Sequence, residues 1–305
     1  MSQLRSIAPL FACILAFVPA VVITSGDGSG NVTPPSDDPG FANVGVKGDS
    51  AVYLGGGWAL TAKHSGAGDV TLGGVRYSLV PDSAIQIPTD ETTLSDLSLF
   101  RLQPLPPLPA LTIAEAPASV GEAVVMIGNG NNRASAKTYW DASWNEVAAG
   151  EPFFHAGFLY GSGRTIRWGS NAVSRIGLSL SGPGSLSREF EMQFDDLPDE
   201  AQAVNGDSGG AIFAKRGGQW ELLGIMNFVS HVGGAPSASA VFGARSYAMD
   251  LSFYRDRILE HTGVPGAAAS VPAAPFGGTP LVAPLLGGAG VAALRWRERT
   301  VLPRS

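Results

Sequence analysis

The sequence predicts an all-β chain: two successive sets of six short strands, each able to close a small barrel, followed by one helix. Three observations lead there. With 40 Gly and 22 Pro in 305 residues, the composition favours short strands joined by turns over long helices. From Phe41 onward, apolar runs of strand length alternate with turn residues, and a proline-rich connector at 104–109 parts them into two groups. The one segment with clear helical spacing is 248–261, where Leu251, Tyr254, Ile258 and Leu259 share a face and Gly263 and Pro265 follow. At this length one two-barrel domain and two small domains both remain open.

Residues 1–25 have the make-up of a signal peptide. Arg5 supplies the positive charge, 7–23 are apolar, and Val18-Pro19-Ala20 offers small residues to a signal peptidase. A membrane anchor is the competing reading, although Pro9 and Pro19 break the run. Either way the chain leaves the cytoplasm. Residues 26–40 are Gly, Ser, Asp and Pro with few apolar side chains, which reads as a flexible lead-in. Asp27, Ser29 and Asn31 alternate there as in a calcium loop, but no bidentate Glu follows at the required distance, so no metal site is assigned.

Region 41–118 is the first barrel. Strands are expected at 42–46, 50–54, 58–61, 70–72, 75–80 and 97–102, with turns at Lys47-Gly48-Asp49, Gly55-Gly56-Gly57 and Gly73-Gly74. Region 119–263 is the second barrel with the terminal helix. Its strands are expected at 123–128, 165–179, 190–194, 210–214, 220–228 and 239–247, the second of them bent or broken. Between the first two of these runs a long loop, 129–163, is rich in Asn, Gly and aromatic residues.

Charge and cysteine usage exclude several functions. The net charge of −6 is modest and Lys and Arg are scattered up to the last few residues, so nothing suggests a nucleic-acid partner. The only cysteine is Cys13, inside the expected leader, so the processed chain forms no disulfide.

One stretch carries chemistry. In Asn205-Gly206-Asp207-Ser208-Gly209-Gly210 a serine sits between glycines with an acid directly before it. A hydroxyl needs a base to take its proton and donors to hold the resulting oxyanion; the N–H groups of Gly206 and Ser208 are the candidate donors. Of the four histidines, His64 follows a buried strand that runs straight into a polar turn, which presents its ring at a barrel edge. His155 and His231 lack that setting, and His261 ends a helix. An acid to orient the base is expected at the head of a strand, and Asp96 stands before the alternating Leu97-Ser98-Leu99-Phe100-Arg101-Leu102. Each residue alone has an ordinary explanation as turn, surface or cap; the order His, Asp, Ser across two strand sets is what gives the three weight.

Gly57-Trp58-Ala59-Leu60-Thr61-Ala62-Lys63-His64, Asp96-Leu97-Ser98-Leu99-Phe100-Arg101-Leu102 and Gly206-Asp207-Ser208-Gly209-Gly210 together resemble the three signatures of the trypsin/chymotrypsin-like serine peptidases, over about 41–263. The resemblance implies two six-stranded antiparallel barrels with the cleft between them. It implies Ser208 as nucleophile, His64 as general base and then acid, Asp96 as the group that orients His64, and a peptide or protein as substrate. No metal or organic cofactor is implied.

The sequence departs from the family in several places. Lys63 replaces a small residue before the histidine and is expected to point outward, with a lowering influence on the His64 pKa. In many members a freed N-terminal Ile or Val amine pairs with the acid before the serine; no such activation sequence precedes the first barrel, so Asp207 needs another partner and no activating cut between the barrels is expected. The residue six before the serine, at the base of the family's primary pocket, is Gln202, so an Asp able to pair with Lys or Arg is absent. The wall strand reads Asn227-Phe228-Val229, where Val229 replaces a glycine and should favour a small or medium apolar residue. Arg245 stands near another wall and is the alternative, a selector of acidic side chains.

Residues 264–279 read as an Ala, Gly, Pro and Val spacer. The tail 280–305 holds an apolar run and the basic cluster Arg295-Trp296-Arg297-Glu298-Arg299, and with Val271-Pro272-Ala273-Ala274-Pro275 before it resembles a PEP-CTERM-type bacterial sorting signal. The resemblance implies a sorting enzyme as partner and membrane contact through 280–299. The expected Glu between prolines is missing, and 300–305 extend past the basic cluster. The sequence thus indicates an exported serine endopeptidase, with a catalytically silent peptidase-fold binding protein at the cell surface as the alternative.

Overall fold

The structure, a computed structural model, describes residues 21–263. The expected leader up to residue 20, the spacer 264–279 and the tail 280–305 lie outside the described residues.

Residues 21–40, expected as leader end and flexible lead-in, are instead packed. Val21, Val22 and Ile23 are buried, and β1 (Val22–Ile23) pairs antiparallel with Gln202 and Ala201. Arg133 supplies the reason. Its guanidinium lies 3.9 Å over the Phe158 ring and donates to the main-chain carbonyls of Ile23 (2.7 Å), Ser25 (3.0 Å) and Gly26 (2.7 Å). Further along, Arg167 Nε donates to the Gly30 carbonyl at 2.6 Å and the Trp168 indole to that of Thr33 at 2.9 Å. A segment poor in apolar side chains is thus ordered by cations binding its backbone.

The first barrel comprises β2 (Val44–Lys47), β3 (Asp49–Gly55), β4 (Trp58–Ala62), β5 (Val70–Leu72), β6 (Val75–Leu79), β7 (Ile85–Pro88) and β8 (Leu94–Gln103). The sheet runs β4-β3-β2-β5-β6-β8 and closes because β8 also pairs with β4, while β7 attaches to β8 as a strand the sequence pattern did not reveal. That segment is four residues ending in Pro88, too short and too unlike a ladder strand to stand out.

The second half comprises β9 (Ala123–Gly128), β10 (Asn131–Arg133), β11 (Thr138–Trp140), β12 (Glu146–Val147), β13 (His155–Arg164), β14 (Arg167–Gly182), β15 (Ser185–Gln193), β16 (Ala201–Gln202), β17 (Ala211–Arg216), β18 (Gln219–Ser230), β19 (Ser239–Val241) and β20 (Arg245–Asp250). Six of them close a barrel in the order β14-β15-β20-β18-β17-β9. The strand expected to be bent or broken is one element, β14, whose register against β15 shifts between Val173 and Arg175 and again between Arg175 and Leu178. The expected strand at 239–247 divides: β19 leaves the barrel and pairs with β13, and only β20 stays in it. The loop at 129–163 is corrected too, since β10 to β13 with β19 form a five-stranded sheet.

Helix α1 (Leu251–Thr262) starts where the Asp250 carboxylate accepts the Ser252 N–H and ends at Gly263 in the left-handed region. Its Leu251, Tyr254 and Ile258 enter one apolar cluster with Val52, Leu60 and Leu97 of the first barrel and Ile127, Phe213 and Ile225 of the second. That shared core favours one two-barrel unit over two independent domains. Arg133→Ala should lower stability by about 2–4 kcal/mol, because it strands the buried Ile23 carbonyl and releases the partly buried ones of Ser25 and Gly26. Urea unfolding would measure that loss, and hydrogen exchange should show residues 23–30 opening first.

Candidate active site

The loop that presents Ser208 is shaped by glycine and anchored on both barrels. Gly206 (φ 100°) and Gly209 (φ 86°) occupy the left-handed side of backbone space. A side chain at Gly209 would collide with the Ser50 carbonyl and the Thr61 hydroxyl, so the loop can approach the first barrel only as bare backbone. Ser50 N–H donates to the Ser208 carbonyl at 3.0 Å, and Ser50 Oγ donates to the Gly206 carbonyl at 3.0 Å while accepting the Asn129 N–H at 2.8 Å. From within the second barrel, Gly209 N–H donates to the Met226 carbonyl and Gly210 N–H to that of Asp207, each at 2.8 Å.

Among the described residues, the N–H groups of Gly206 and Ser208 donate to nothing. The Asn205 carbonyl accepts the Asn131 N–H at 2.9 Å. In a trans peptide the next N–H points the opposite way, so that bond turns the Gly206 N–H away from Asn131 and leaves it free for a ligand.

His64 lies in the short turn Lys63–Ser65 after β4, and Asp96 is buried near the start of β8, beside it in the sheet. Asp96 Oδ1 accepts the His64 main-chain N–H at 2.8 Å, and Oδ2 is 2.5 Å from His64 Nδ1. His64 Nε2 stands 3.0 Å from Ser208 Oγ. The structure therefore brings His64, Asp96 and Ser208 into one hydrogen-bonded line across the barrels. With the Nδ1 proton held by a carboxylate, Nε2 is left as an acceptor facing a hydroxyl, an arrangement able to activate that hydroxyl as a nucleophile. A second feature supports the acid: Asp96 N–H donates to Ser187 Oγ at 2.9 Å, so β15 reaches over from the second barrel to hold it.

The hydrogen bond that His64 Nδ1 donates to Asp96 raises the His64 pKa above its ordinary value; burial opposes this, the Asp96 and Asp49 charges add to it, and Lys47 opposes it. Lys63 is exposed, as expected, and the lowering influence on His64 comes instead from Lys47, whose Nζ donates to the Ser65 carbonyl at 3.0 Å.

Asp207 is wholly buried. Its Oδ2 accepts the Val204 N–H at 2.8 Å, and Oδ1 has no hydrogen-bond partner. Burial pushes its pKa up to about 7, opposed by the bond from the Val204 N–H, the nearby Gly130 N–H and the charges of Arg164 and Arg167. Gly128 and Gly130 are bare because a side chain at either would enter the carboxylate.

Beside Ser208 lies a cavity of about 240 Å³ lined by His64, Ala203, Val204, Asn205, Ser208, Met226, Asn227, Phe228 and Val229. Of the expected substrate contacts, Asn227, Phe228 and Val229 line it. Gln202 does not: it is wholly buried in β16, paired with Val22, and Ala203, Val204 and Met226 line the cavity instead. Arg245 is also outside the lining and is paired with Glu191 at 3.4 Å. Ser50, Ser187 and Asn131 carry no local sequence signal, since each is a single polar residue whose partner is distant in the chain. Glu189, buried beside Asn227, was equally silent.

No protein-family model matches the chain, and no curated protein does. Among solved structures, one described as the crystal structure of Rv3671c protease in an inactive form is similar at 16% identity and a TM-score of 0.39, covering 70% of this chain and 83% of that one.

NMR titration of the His64 imidazole should give a midpoint above 6.5, and Asp96→Asn should move it down. Because the folded-state pKa is raised, the stability linked to this group is fully present below pH 6.5 and fades as pH rises through the folded midpoint.

Proposed function

We propose that this chain is an exported serine endopeptidase. The observation that carries the reading is the line from Asp96 through His64 to Ser208, 2.5 Å and 3.0 Å, beside two amide N–H groups with nothing bound. Ser208 Oγ attacks the peptide carbonyl as His64 Nε2 takes its proton, and the N–H groups of Gly206 and Ser208 receive the oxyanion. Collapse breaks the C–N bond, and His64 returns the proton to the departing amine. Water then attacks the acyl ester with the same imidazole as base, releasing the acid and restoring Ser208. Throughout, Asp96 stabilises the imidazolium without taking its proton.

The apolar contribution of Ala203, Val204, Met226 and Val229 to the cavity supports selection of a small or medium apolar residue before the scissile bond. A peptide library should show that preference, and strong cleavage after Lys or Arg would overturn it.

We further propose that leader removal after Ala20 completes the site. It would leave Val21 as the first residue, and Val21 is buried in the layer that also holds Ala203 and Met226. A new ammonium there needs an anion, and Asp207 has a buried carboxylate oxygen without a partner, the acid that in many family members receives a freed N-terminal amine. The mature protein should begin at Val21 by intact mass, and a form with one residue ahead of Val21 should react with a fluorophosphonate about tenfold or more slowly.

A fluorophosphonate probe tests the central reading. Wild type should be labelled and Ser208→Ala should not, with peptide hydrolysis falling by roughly 10³-fold or more in the variant. Absence of labelling in the leader-free wild type would favour a silent binding protein.

A further inference from the structure

Behind the site lies a carboxyl that the proposed mechanism does not use. Glu189, on β15, is buried, and its Oε1 accepts the Asn227 side-chain N–H at 2.6 Å. The other oxygen, Oε2, is buried without a hydrogen-bond partner, as is Asn227 Oδ1. Asn227 connects directly to the chemistry. Its main-chain carbonyl lies 3.3 Å from Ser208 Oγ, and the next residue, Phe228, sets its ring nearly parallel to the His64 imidazole, 9° apart with centroids separated by 6.0 Å. Two residues before Glu189, Ser187 Oγ holds the Asp96 N–H.

We propose that Glu189 is a positioning residue for the Ser208–His64 pair: by holding the Asn227 side chain, it keeps the edge formed by 227–229 in register with the nucleophile and the imidazole. The inference rests on the peptidase reading and deepens it.

The electrostatics support the geometry. The titratable groups facing Glu189 are Asp96 on β8 and Tyr254 on α1; its neighbours on β18 and β20, Asn227 and Met249, carry no charge. Burial, aided by the Asp96 charge, pushes the Glu189 pKa up to about 8 against the Asn227 hydrogen bond. Near neutral pH the carboxyl therefore keeps its proton, and Asp96 is the one ionised carboxylate hydrogen-bonded to His64. Above that midpoint a second buried anion appears next to Asp96, with one oxygen lacking any donor.

Two variants and two readouts test the proposal. Glu189→Gln preserves shape and an acceptor for Asn227 and removes the titration; Glu189→Ala removes the hold itself. In Ser208 labelling at pH 7, Glu189→Gln should stay within about threefold of wild type, whereas Glu189→Ala should be about 10–100-fold slower, the cost of a buried amide without its partner. The His64 ring resonance followed by NMR should show a second inflection near pH 8 in wild type that Glu189→Gln lacks. Equal labelling by Glu189→Ala and wild type would overturn the proposal, as would an inflection that persists in Glu189→Gln. The NMR arm needs no turnover, so it reports on Glu189 even where labelling of wild type fails and the peptidase reading falls.

Discussion

Ser50 carries the constraint on which the site depends. It lies on the first barrel, and it holds the serine loop of the second barrel by main chain and side chain at once, through the Ser208 and Gly206 carbonyls. The same hydroxyl accepts the Asn129 N–H, so the end of β9 is fixed by the same group. With the carbonyls of 206 and 208 bound this way and that of 205 bound by Asn131, the peptide planes of the loop have little freedom. The N–H groups of Gly206 and Ser208 are then left over by construction, and donors fixed before the reaction need no reorganisation during it.

Buried charge is rationed around this loop. Asp96, Glu189 and Asp207 are all carboxyls with little or no exposure. Asp96 has a cationic partner available in His64 and two hydrogen bonds to it, while Glu189 and Asp207 are pushed up in pKa by burial. Three ionised carboxylates so close to one seam would repel one another in a medium that screens poorly. Keeping a proton on Glu189 avoids that and leaves the field at the imidazole dominated by one anion.

The features legible in the sequence were those with a local pattern. A strand ending in a polar turn located His64, an acid before an alternating apolar run located Asp96, and a glycine-bracketed serine located Ser208. Twelve-strand punctuation gave both closed sheets, because β-period alternation and Gly or Asn turns are read within a few residues. Contacts between distant segments were not legible. Residues 21–40 read by composition as leader end and flexible lead-in, yet Arg133 binds the carbonyls of Ile23, Ser25 and Gly26 from more than a hundred residues away. The β10–β13 sheet was read as loop because β10, β11 and β12 are only two or three residues long and the whole stretch is rich in Asn, Gly and aromatics. Gln202 was placed in the cavity by counting back from the serine, but pairing of β16 with β1 turns it into the interior.

The remaining question is why a geometry of such tolerance sits on a seam between two bodies. Nucleophile and amides belong to the second barrel, base and acid to the first, and a relative shift of about 1 Å would separate His64 from Ser208 enough to cost orders of magnitude in rate. The structure answers with crossings at both ends of the line. Ser50 ties the nucleophile loop to the first barrel, while Ser187 of the second barrel binds the Asp96 N–H, and Thr89 Oγ1 binds the neighbouring Leu186 carbonyl at 2.5 Å. Beneath them Tyr254 of α1 donates or accepts at Thr89 and accepts the Arg188 N–H, joining the helix to both halves. The barrels therefore meet at the site with ties across the seam. They are stitched on either side of His64, and the imidazole is the most exposed member of the line, with 41% of its side-chain surface accessible, where a substrate would arrive.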